Sequence, residues 1–61
     1  MLKDTRRATL RAYGEMKQRG VPEARAFETA IRVFHHRLPE VPTDDARFLV
    51  ADWISDSLGQ Q

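Results

Sequence analysis

The residues with most chemistry to offer are two histidines, two serines and a pair of aspartates, and their spacing limits what each can do. His35 and His36 are adjacent. Neighbouring residues on a helix point about 100° apart, so the two imidazoles cannot grip one ion from the same helix. Zinc needs three or four converging ligands, and the chain has no cysteine, no HExxH and no histidine pair four apart. No metal and no cofactor is therefore expected. Ser55 and Ser57 stand near the end of the chain with no histidine beside them in sequence, so no nucleophile and base are paired. Asp44-Asp45 has the look of a carboxylate couple, but it follows Pro42-Thr43, where acids suit the positive end of a helix. Gly14, Gly20 and Gly59 stand singly, which leaves no phosphate-cradling loop. A chain of 61 residues also has difficulty enclosing a ligand pocket of about 300 Å³ or more. Neither catalysis nor a small-molecule substrate is expected. Arg6-Arg7-Ala8-Thr9 resembles a basophilic kinase acceptor, but helical spacing turns Thr9 inward.

Two surfaces remain that could meet a macromolecule. On the third segment Phe48 projects almost opposite Ala46 and Trp53, among Asp44, Asp52 and Ser55. Aromatic residues placed on a solvent face are enriched at interfaces. Val33 and Ala26 make a second apolar margin on the central segment. Val33, Phe48 and Asp52 are accordingly the candidate partner-binding residues, for a protein partner or a second copy in a homo-oligomer. The alternative is a helix-turn-helix nucleic-acid binder hinged at Gly20. In that reading the central helix presents Arg25, Thr29, Arg32 and His36 to the major groove, and Arg7 and Arg11 add phosphate contacts. Glu23 and Glu28 at the reading end oppose it, as does a pI of about 8.3, low for such domains. The first reading is preferred.

The elements that position these residues are legible from periodicity. In Pro22–Leu38, residues Ala24, Phe27, Ile31, Phe34 and Leu38 recur at spacings of 3, 4, 3 and 4, with Ala30 beside them. That repeat describes one apolar stripe of an amphipathic helix. Proline stands at each end, tolerated at the start as Pro22 and ending the helix as Pro39. The first segment is a weaker helix. Leu2, Ala12, Tyr13 and Met16 share an arc with Thr5 and Thr9 filling the gaps, and Gly14 interrupts it at a cost of about 1 kcal/mol. Lys17 and Arg19 suit its C-terminal dipole, and Gly20 suits a left-handed cap. Pro39-Glu40-Val41-Pro42 reads as an extended connector, with Thr43 as N-cap of a third helix. Ala46, Leu49, Val50, Trp53 and Ile54 form its inner face, and Ser55 to Gln61 is expected to fray. The expectation is an all-α, small three-helix bundle with helices over about 3–19, 22–38 and 43–58, forming a single domain over 1–61.

Charge is unevenly spread along this chain. Residues 1–37 hold nine Lys or Arg against four acids, whereas 38–61 hold Arg47 against five. Either the first and third helices attract each other, or a basic face meets a polyanion. The first is preferred, because helices of one small domain commonly pack with complementary charge. With 41% hydrophobic and 31% charged residues the chain should fold rather than remain disordered. No apolar run approaches the roughly 18 residues that span a bilayer, and the N-terminus lacks the apolar core of a secretory signal. A cytoplasmic location with no membrane contact is expected.

Overall fold

Three helices account for nearly all of the chain in the computed structural model, which describes residues 2–59. They are α1 (Leu2–Gln18), α2 (Glu23–Arg37) and α3 (Thr43–Gly59). The all-α three-helix bundle expected from periodicity is what forms, with boundaries shifted by one residue at most of the ends.

The connections are fixed by backbone chemistry. At the end of α1 the Gly20 amide bonds the Lys17 carbonyl and the Val21 amide bonds the Met16 carbonyl, both at 3.0 Å. This nested pair is a Schellman cap, and it requires the left-handed φ of +81° that Gly20 adopts. Both following helices start on a proline carbonyl: Ala26 bonds Pro22 and Ala46 bonds Pro42, each at 2.9 Å. Thr43 is therefore the first helical residue of α3 and not its N-cap. The second connector also differs from the extended form expected. The Val41 amide bonds the Leu38 carbonyl at 3.2 Å, closing a turn around Pro39-Glu40. Proline favours that second position of a turn because its φ is already set. The ring of His35 reinforces the turn by donating from Nε2 to the Val41 carbonyl at 3.2 Å. At the other end α3 continues as helix through Ser55–Leu58 to Gly59 rather than fraying from Ser55. The last two positions of the expected frayed tail, Gln60 and Gln61, lie outside the described residues.

The core gathers Ala30, Ile31 and Phe34 of α2 with Ala46, Val50, Trp53 and Ile54 of α3. Leu10, Tyr13, Phe27, Leu38, Val41 and Leu49 pack around its edge half-buried. The expected stripe needs one correction. Ala24 is exposed and Ala26, assigned above to an outer margin, is fully buried. Helix α2 is covered on two sides, so its deepest row runs Ala26, Ala30, Phe34 in steps of four, one edge over from the stripe drawn through Ala24. Helix α1 contributes Thr5 and Thr9 as its only buried residues among those described, while Leu2 stays exposed. Small inward groups let two helix backbones approach closely, which offsets the shortage of large apolar side chains on α1.

Gly14 has no such packing reason. A methyl built there meets nothing within 4 Å, and its backbone is ordinary helix. Gly14→Ala should raise stability by about 1 kcal/mol through the entropy of the unfolded chain. Urea unfolding followed by circular dichroism checks this; an unchanged or lowered midpoint would show that the glycine is needed.

Candidate functional site

Three grooves run between the three helix pairs, and each carries a different chemistry. Between α1 and the end of α3 lies one of about 410 Å³, floored by Leu10, Tyr13 and Ile54 and edged by exposed Leu58. Its polar groups are already engaged with one another. The Tyr13 hydroxyl donates to Glu23 Oε1 at 2.6 Å, and Lys17 Nζ sits 3.1 Å from the same oxygen. That hydrogen bond, helped by burial and by the negative charge of Glu23, pushes the Tyr13 phenol up to about 12. The donated proton from Tyr13, and then Lys17, hold the Glu23 carboxyl below its usual range. Both groups are thus moved away from neutrality, the opposite of what proton transfer at pH 7 requires. Their work is to fasten the start of α2 to α1 across the Gly20 turn.

The groove between α2 and α3 is bridged by Arg47, with a hollow of about 300 Å³ beside it that Ile31, Arg32 and His35 also line and one of about 360 Å³ toward the end of α3. Its Nη2 reaches Glu28 Oε2 at 2.6 Å, and its guanidinium lies 5.9 Å from the centre of the Phe27 ring. Cation–π contact and ion pair together clamp the two helices, although at this exposure each contributes little.

The groove between α1 and α2 is basic. One part, about 310 Å³, is lined by Asp4, Arg7, Ala8, Arg11 and Arg37. The adjoining part, about 380 Å³, is lined by Ala8, Thr29, Arg32, Val33, His36 and Arg37. Of the six residues assigned to nucleic-acid contact, the structure brings Arg7 and Arg11 to one part and Thr29, Arg32 and His36 to the other. Arg25 lines neither; it stands on the exposed first turn of α2, about 18 Å along the helix from Arg37. The Thr29 hydroxyl donates to the Arg25 carbonyl at 3.0 Å, so it is turned to its own helix. Arg37 joins the two parts and was not among the residues singled out from sequence. A row of four-residue steps, Thr29, Val33, Arg37, carries the signal that would have found it.

Phe48 stands on the outside of α3, 74% exposed. Asp44 and Asp52 are four residues to either side of it and Asp45 three, all exposed, so a collar of acids surrounds the ring. Val33, by contrast, is half-buried in the α1–α2 groove. The three candidate partner-binding residues thus fall on two surfaces: Phe48 with Asp52 on one, Val33 on the other.

Ion pairing sorts the remaining charges. Arg6 pairs with Asp56 at 2.9 Å and joins α1 to α3, as the attraction between first and third helices requires. It is the one pair of that kind among the described residues. Arg7, Arg11, Arg32 and Arg37 on one surface, and Asp44, Asp45 and Asp52 on the other, take part in no ion pair among the described residues. The internal attraction therefore uses a small share of the charge asymmetry. Among the described residues no three His, Cys, Asp or Glu side chains converge as a metal site would need, and no helix is long and apolar enough to cross a membrane. Compared with known proteins, the chain matches no family model, no curated protein and no solved structure.

Proposed function

We propose that this chain is a small helical interaction module without catalytic activity, working in the cytoplasm through contact with a protein partner or a further copy of itself. The exposure of Phe48 carries the reading. A phenylalanine left 74% exposed in a chain this short forgoes burial that the core could use. Aromatic side chains with a polar rim are the usual anchors of protein contacts, and the acids around Phe48 supply such a rim. The absence of a catalytic role is supported by Tyr13 and Glu23, which satisfy each other and titrate away from neutrality.

Phe48→Ala should abolish partner capture or self-association and leave helix content unchanged, because the side chain touches little of its own bundle. Arg25→Ala, exposed and outside both parts of the basic groove, should change neither. Mass in solution, pull-down and circular dichroism on the two variants decide it. Binding that survives Phe48→Ala would sink the reading.

The grouping of Arg7, Arg11 and Arg37 in one cleft favours a second reading, contact with nucleic-acid phosphates. Asp4 in the same cleft and the small net charge of +1 weigh against it. Duplex DNA or RNA bound at low salt, and released steeply as salt rises, would establish it in place of the first.

A further inference from the structure

We infer that the partner seated on Phe48 is a second copy of this chain, and that the seat is the groove floored by Ala8 and Val33 between α1 and α2. This rests on the interaction reading above and names its occupant.

The two surfaces complement each other in three respects. One is a knob and the other a hollow: Phe48 projects from α3, and the Val33 part of the α1–α2 groove offers about 380 Å³. Their apolar parts correspond, an aromatic ring against a floor of Ala8 and Val33. Their charges are opposite and unspent. Asp44, Asp45 and Asp52 surround the ring, Arg32 and Arg37 edge the hollow with His36, and none of these acids or arginines has an ion-pair partner among the described residues. Arginine at the rim also suits the face of an incoming phenyl ring. A nucleic acid would satisfy the arginines but meet Asp4 beside them and leave Phe48 uncovered. A second copy satisfies both surfaces at once, because each molecule carries both halves.

Position dictates the symmetry. The groove between two helices of a three-helix bundle lies across the molecule from the outer face of the third, so the knob and the hollow face opposite ways. A contact of this kind is head-to-tail. It does not close as a two-fold dimer, and it extends into a chain or a ring. Area permits it. A stable contact needs about 800 Å² from each partner, roughly a sixth of the 4583 Å² that one molecule exposes, so each molecule can take part in two.

Head-to-tail contact makes a prediction that a two-fold contact does not. At low salt the mass by sedimentation equilibrium should rise from 7.1 kDa with concentration and not stop at two chains. Phe48→Ala should remove the knob and Val33→Asp the hollow, each weakening association by more than about ten-fold. Because Val33 is half-buried, the exposed pair Arg32→Glu and Arg37→Glu serves as a second hollow variant, with circular dichroism confirming that each remains folded. An equimolar mixture of the Phe48 variant and a hollow variant then retains one intact knob and one intact hollow. It should form a complex of two chains and no more. Variants that each lose association and are not rescued on mixing would show that Phe48 does not seat in this groove and overturn the inference, and a wild-type mass that stops at two chains would overturn its head-to-tail form. A monomer at every concentration would overturn it as well, while the broader reading would stand if another protein still bound in a Phe48-dependent way. Association indifferent to Phe48 would end both.

Discussion

Phe34→Ala should leave this chain largely unfolded at ordinary temperature. Phe34 is fully buried at the centre of the core, its ring centroid 5.6 Å from that of Trp53 with the planes inclined at 49°. Truncating a buried phenylalanine removes its transfer free energy and leaves a cavity that a close-packed interior fills only in part, together about 3–5 kcal/mol. A domain of this length has a total stability of about 3–9 kcal/mol, so the loss approaches or exceeds half of it. Trp53→Ala removes the other half of the aromatic contact and should cost about as much, tempered by the small exposed edge of the indole. No disulfide limits the unfolded state to soften either loss. Thermal and urea unfolding followed by circular dichroism provide the measurement. A Phe34→Ala variant that melts with wild type would show that the core is not organised around that ring.

The ease with which Phe34 and Trp53 could be placed contrasts with what could not. Large apolar residues recurring every three or four positions identify a buried arc even when the neighbouring helices are unknown, so Phe27, Ile31, Phe34, Val50 and Trp53 were legible. Alanine has too little side chain to vote. Whether Ala24 or Ala26 is inside depends on how many helices cover α2 and from which directions, and periodicity within one helix does not encode that. Phe48 was legible for the same reason as the core, as the large apolar residue that the inner arc of α3 excludes. Arg37 was not. In the last turn of α2 its charge is accounted for by the helix dipole, and only the approach of α1 makes it the bridge between Arg7 with Arg11 and Arg32 with His36. Charge totals along the chain showed the asymmetry between its two parts. Which charges would meet inside the bundle and which would remain for another molecule is a property of the tertiary arrangement, and Arg6–Asp56 is the one pair among the described residues that joins the first helix to the third.

Thr9→Val should raise stability by about 1–3 kcal/mol, an unusual direction for a substitution at a fully buried site. Thr9 has no exposed surface, and its hydroxyl oxygen has no hydrogen-bond partner. A buried helical threonine ordinarily returns its hydroxyl to the carbonyl three or four residues back; this one does not. It therefore carries the cost of desolvating a polar group without the compensating bond. Valine has nearly the same shape and a comparable helix propensity, so the exchange removes the penalty and leaves the packing intact. For a domain of this size the gain corresponds to a rise in Tm of about 4–8 °C per kcal/mol. Thr9→Ser is the informative companion, since it keeps the hydroxyl and deletes the methyl, and it should lower Tm. The same burial bears on the Arg6-Arg7-Ala8-Thr9 motif, whose acceptor hydroxyl a kinase would reach only after α1 had opened. If Thr9→Val instead lowered Tm, the hydroxyl would have to be bonded in solution, and the weak first helix would be held to its neighbours by a polar contact.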